Sequence, residues 1–142
     1  MVLTRREELK NDPAQVAAAQ ALTLDSSRPF GLKGTFGLFG SGEWWQNIER
    51  GIAPVTHMHG VISKVYAEGM HNEGRGFEIV TNDGTSHKYS CVTNQRKDQK
   101  KYVVGKKIHV SYVKEPLKNP MPSPNGTTNI YSEIVLEISV EG

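Results

Sequence analysis

Near residue 57 the hydrophobic pattern of this chain changes from a helical period to a period of two, and that change limits the fold more than any other feature. Alternation gives a sheet with one buried face, because successive side chains on a strand point to opposite sides. The pattern predicts strands near 58–67, 76–82, 85–92, 106–114 and 130–140. The last is the cleanest: Ile130, Ile134, Leu136, Ile138 and Val140 share one face, while Glu133, Glu137, Ser139 and Glu141 share the other. The fourth turns Ile108, Val110 and Tyr112 inward and His109 and Ser111 outward, and the second buries Phe77 and Ile79. Asn82-Asp83-Gly84 joins the second and third strands as a tight hairpin, with glycine supplying the positive φ that such turns need. Glu68–Arg75 and Glu115–Asn129 are longer connections. The second holds Pro116, Pro120, Pro122 and Pro124, and it reads as irregular and exposed.

Residues 1–55 differ in texture and read as an N-terminal arm with short helices, set before a β-domain over 56–142. Glu7 and Glu8 fall in what reads as a frayed terminus. A helix is expected from Asn11 to Leu24, with Asp12 as cap, Pro13 at its first position, and Val16, Ala19 and Leu22 on one face. Next, Gly31, Gly34, Gly37 and Gly40 recur at every third residue, and Phe30, Phe36 and Phe39 stand just before three of them. That much glycine opposes a helix by about 1 kcal/mol per site. The expectation is an extended segment that plugs its phenylalanines into a neighbouring surface. Ser41 can cap a short helix Glu43–Arg50, with Gly51 just beyond it and Trp44, Trp45 and Ile48 in one apolar patch. Phe36, Phe39, Trp44 and Trp45 are the candidate interface residues, since an arm this aromatic has little core of its own and tryptophan favours interface hot spots. The arm is therefore expected to associate with a protein partner or with a second copy of the chain.

Three stretches carry a resemblance: Gly60-Val61-Ile62-Ser63-Lys64-Val65-Tyr66, the hairpin Gly76–Asp83 and Thr85–Val92, and Val104-Gly105-Lys106-Lys107-Ile108-His109-Val110. Together, over residues 57–142, they resemble an OB-fold, the five-stranded Greek-key barrel, by pattern and spacing. The chain departs from that family between its third and fourth strands, where a helix is usual and Thr93–Lys101 is short and polar. The resemblance implies ligands across strands two and three and their flanking loops. By position this surface comprises Met70, His71, Arg75, Glu78, Lys88, Ser90, Lys114, Lys118 and Asn125.

Composition narrows the function classes. The 142 residues carry 17 Lys+Arg and 15 Asp+Glu, so a net charge of +2 gives no global case for a nucleic-acid or membrane partner. The lone Cys91 excludes an internal disulfide and a cysteine-rich zinc module. One thiol, no apolar export segment and no apolar run long enough to span a bilayer fit a reducing cytoplasm. Charge is concentrated locally: Arg96, Lys97, Lys100, Lys101, Lys106 and Lys107 surround a single acid, Asp98. Those bases could contact phosphates and Tyr102 could stack on single-stranded bases, while the plainer reading is a solvated loop guarding a strand edge. Glu78, Glu133 and Glu137 on the outward faces weigh against a basic groove. His57 and His59, two apart on one strand, raise a metal-dependent enzyme, but zinc needs three or four converging ligands and no spacing here enforces that. Hydrolase and phosphate-cradle motifs are absent, and Trp45 stands where a dinucleotide fingerprint needs its third glycine. A non-enzymatic binding module without a cofactor is the expectation, with single-stranded nucleic-acid binding as the alternative.

Overall fold

The alternating segments form the strands their pattern requires, and the fold is mainly β. The computed structural model describes residues 1–69, 74–122 and 128–141. In chain order the elements are β1 (Leu3–Thr4), α1 (Arg5–Lys10), α2 (Pro13–Leu24), α3 (Gly42–Glu49), β2 (Val55–Glu68), β3 (Gly74–Thr81), β4 (Ser86–Ser90), a 3₁₀ helix (Arg96–Lys101), β5 (Lys107–Pro122) and β6 (Thr128–Val140). Two compact units result. The first gathers Met1–Arg5, His57–Ser111 and Val135–Gly142; the second gathers Arg6–Thr56 and Tyr112–Ile134. Both are discontinuous in sequence.

The first unit holds all or part of every strand, in the sheet order β1-β6-β5-β2-β3-β4. β5 lies beside β2 and not beside β4, its predecessor, which is the crossover of a Greek key. Among the described residues no ladder joins β1 to β4, so these strands do not close into a ring. Asn94 fills part of that opening. Its backbone N–H donates to the Val2 carbonyl (3.0 Å), its Oδ1 accepts from the Thr4 N–H (2.7 Å), and its Nδ2 donates to the Thr4 carbonyl (3.0 Å). A carboxamide carries the same donor and acceptor as a peptide group, so Asn94 stands in for a strand residue. The terminus that reads as frayed is consequently ordered at its start, with Val2 and Leu3 1 % and 0 % exposed. Ile62, Phe77, Ile79, Val110 and Ile138 make the core, and the Tyr102 ring lies 5.1 Å from Phe77. One facing is corrected: Ser111, expected outward, is buried. The β3–β4 turn forms as expected, with Asp83 accepting from the Thr85 N–H (3.0 Å) and from the hydroxyls of Thr85 (2.7 Å) and Thr81. These bonds hold the Asp83 carboxyl down at a pKa of about 2.

In the second unit Asp12 caps α2 by accepting from the Gln15 N–H (3.2 Å), and Ser41 caps α3 by accepting from the Trp44 N–H (3.2 Å). The glycine repeat is not an extended segment. Gly31, Gly34, Gly37 and Gly40 have φ of 97°, 80°, 99° and 76°, so the chain turns at every third residue. The Gly37 N–H closes one turn on the Gly34 carbonyl and the Ser41 N–H another on Leu38. Of the three phenylalanines in this repeat, Phe39 is buried, Phe36 half-buried and Phe30 exposed.

The proline-rich connection is also corrected, because β5 runs through Pro116 and Pro120 to Pro122. The Pro116 carbonyl accepts from the Lys33 N–H (2.9 Å), and the Lys118 N–H donates to Gly31 (3.0 Å). Backbone groups alternate sides along a strand, and Lys107 faces β6 by accepting from the Glu141 N–H. Even-numbered positions therefore face the edge away from β6. The N–H that each proline lacks falls on that edge, where a strand tolerates proline. Ile130 departs from the expected inward face: residues 128–131 of β6 are all exposed.

Candidate interaction surface

The basic run is built onto the first unit by a set of backbone bonds. The 3₁₀ helix presents Arg96, Lys97, Lys100 and Lys101 to solvent, and Asp98 pairs with Lys101 at 3.2 Å. Arg75, expected as a ligand contact, braces this helix instead: its guanidinium donates to the carbonyls of Gln99 (3.1 Å) and Tyr102 (3.2 Å). Tyr102 is 1 % exposed and donates its hydroxyl to the Val92 carbonyl (2.6 Å), so it cannot stack on a base. Burial raises its pKa far above the usual phenol value. Beyond it Val103 and Val104 are exposed, and Lys106 and Lys107 lead into β5.

A cleft of ≈ 430 Å3 lies on the outward face of the same unit, lined by residues that include His59, Val61, Asn82, Lys107, His109 and Glu141. His57 and His59 project from one face, as their spacing requires, and both stack on His109, with ring centroids 5.2 Å and 4.4 Å away. His57 Nδ1 and His109 Nε2 are 3.0 Å apart, so one of the two must hold the proton and the other accept it. Burial first, then the charges of His59 and His57, lower the His109 pKa, with Glu137 opposing them. Among the described residues no three His, Cys, Asp or Glu side chains converge as metal ligands. His57 is engaged with His109 by stacking and a hydrogen bond, and His59 by stacking.

The remaining positions of the ligand face are divided between the two units. Lys88 is exposed over the Tyr66 ring (5.8 Å), in the first unit. Lys114 and Lys118 belong to the second. Lys118 is structural, because its Nζ caps the end of α2 by donating to the carbonyls of Leu22, Asp25 (3.0 Å) and Arg28 (3.4 Å). Met70, His71 and Asn125 lie outside the described residues.

Two of the four candidate interface aromatics are internal. Trp44 is 0 % exposed, has Phe39 edge-on at 5.0 Å, and donates its indole N–H to the Glu115 carboxyl. Phe36 is half-buried, and its carbonyl accepts from the Asn47 side chain (3.0 Å). Trp45 keeps partial exposure, with the Arg6 guanidinium 5.1 Å over its ring and Arg6 also paired to Glu49 (2.8 Å). It lines a groove of ≈ 570 Å3 with Arg6, Leu9 and Lys10 from α1 and Pro13, Val16, Ala17 and Gln20 from α2. An indole and a guanidinium beside an apolar floor are the side chains that anchor protein interfaces.

These surfaces suit a macromolecular partner. A family model for the immunity protein RhsI2 matches residues 1–141. The chain belongs to that family. No curated protein matches it. Immunity proteins bind a toxin protein, so membership in the RhsI2 family places this chain among protein-binding modules with a toxin as partner. Among the described residues no helix is long and apolar enough to cross a membrane.

Glu115 escaped sequence reasoning, because the prolines that follow it read as a loop. It is 1 % exposed, Trp44 donates to its Oε1, and its Oε2 has no partner among the described residues. Burial raises its pKa, with the indole bond acting in the opposite direction. The readable signal was the parity of Ser111, Val113 and Glu115, which extends one buried face of β5 into the supposed loop.

Proposed function

We propose that this chain neutralises a toxin protein by binding it, and that the N-terminal arm makes the contact through the groove around Trp45. The family match over residues 1–141 carries the first part. The second rests on Trp45 and Arg6, which present aromatic and cationic contact area beside an apolar floor, with the buried Trp44 ring edge-on to Trp45 at 4.7 Å. Buried anchors act mainly on dissociation, so Trp45→Ala should raise the off-rate and weaken binding by about 2 kcal/mol or more. The test is a co-expression assay with the toxin, paired with a binding measurement on the purified proteins. Protection by the wild-type chain that Trp45→Ala weakens supports the reading. Failure of the wild-type chain to protect or bind overturns the function, and full protection by Trp45→Ala overturns the arm as contact surface.

A further inference from the structure

We infer that the 3₁₀ helix and the turn after it, residues 96–107, form a contact surface for an acidic, apolar-centred face of the toxin, an inference that rests on the proposed function. Six bases and one acid fall in these twelve residues, and the acid, Asp98, is already taken by Lys101. The centre of this charge is aliphatic: Val103 and Val104 are 47 % and 57 % exposed. A charged loop that served only to stay solvated would have no use for two exposed valines at its tip. Apolar contact within a polar rim is the usual composition of a protein interface.

The surface is fixed in advance. Gly105, at φ 93°, donates its N–H to the Ile62 carbonyl (2.8 Å), and the Ile62 N–H donates to Lys106 (2.9 Å). Arg75 holds the carbonyls of Gln99 and Tyr102, and the Tyr102 hydroxyl holds Val92. Such pre-ordering removes much of the entropy cost that a loose basic loop would meet on binding. The same bonds disfavour nucleic acid, since the one aromatic in the segment is locked inside the core and valine offers no stacking face. The complementary partner is therefore an acidic protein surface. Its charge is attracted from a distance, so the bases act chiefly on the association rate.

The test measures association and dissociation of the full chain with the purified toxin at low and high salt, beside titration of a single-stranded oligonucleotide. Lys97→Glu with Lys100→Glu, both exposed and outside the buried core, should slow association about tenfold or more at low salt and flatten its salt dependence. Val103→Ser with Val104→Ser should raise the off-rate with little change in association. Circular dichroism confirms that each variant is folded. An unchanged association rate and salt slope in the lysine variant overturns this inference while leaving toxin binding intact. Tight, salt-sensitive binding of the oligonucleotide that the lysine variant abolishes assigns the surface to nucleic acid and overturns it too. Absence of toxin binding by the wild-type chain overturns both this inference and the function on which it rests.

Discussion

Trp44→Phe should destabilise the second unit well beyond what a change of ring size implies. The indole N–H donates to Glu115 Oε1, and Oε2 already lacks a partner among the described residues. Removing the donor forfeits a buried hydrogen bond worth about 1 kcal/mol, and an unpaired buried carboxyl adds roughly 1–3 kcal/mol. The smaller ring leaves a void costing about 1 kcal/mol more. The total, about 3–5 kcal/mol, is a large share of the ~5–15 kcal/mol that holds a domain folded. Glu115→Leu alone strands the indole N–H, at roughly 1–3 kcal/mol. The double variant removes both partners, so its cost should fall below the sum of the singles by about 1–3 kcal/mol. Urea denaturation followed by circular dichroism gives all three values. A Trp44→Phe loss under about 0.5 kcal/mol, or strict additivity in the double variant, refutes the reasoning. Glu115→Gln adds a pH test. Burial raises the folded carboxyl above its ordinary value of 4.5, so its contribution is complete below that value and is lost as pH rises through the folded one. Wild-type stability should therefore decline on that climb relative to Glu115→Gln, and parallel pH profiles would refute the raised value.

Three further outcomes are expected. Asn94→Ala removes three side-chain bonds to Thr4 and should cost about 1–3 kcal/mol, with faster hydrogen exchange at Val2 and Thr4; unchanged exchange contradicts its role at the β1 edge. The lowered His109 pKa means that its contribution to stability is present above 6.5 and lost as pH falls below it; His109→Gln should lessen that acid sensitivity, and an unchanged profile contradicts the stack. Cys91, 5 % exposed and with its thiol pushed up to about 11 by burial, should resist thiol reagents at neutral pH until the chain unfolds; rapid labelling of the native protein contradicts this.

Local rules made much of this fold legible. Asp12 and Ser41 cap their helices, Asp83-Gly84 turns its hairpin, and Phe77, Ile79, Val110 and Ile138 point inward, because each depends on nearest neighbours alone. What sequence hid depends on partners distant in the chain. Pro116 and Pro120 end a strand only if its N–H groups are needed, and here they fall on the edge away from β6. Glycine at every third residue is compatible with extension or with serial turns, and packing against α2 selects the turns: a Cβ at Gly40 would lie 3.1 Å from Val16. Tyr102 stands among lysines in sequence, yet the Phe77 ring and the Val92 carbonyl draw it into the core. The interface aromatics divided for a related reason. The buried Glu115 carboxyl accepts from Trp44, while Trp45 stays beside solvent.

Titration of the purified 142-residue chain into the toxin, with both masses and the toxin's activity followed together, tests the central claim most directly. Neutralisation by binding requires a saturable complex of fixed stoichiometry, both masses unchanged, and activity lost in step with complex formed. No complex, or toxin inactivated by far less than an equivalent of the chain with a change in its mass, would contradict it.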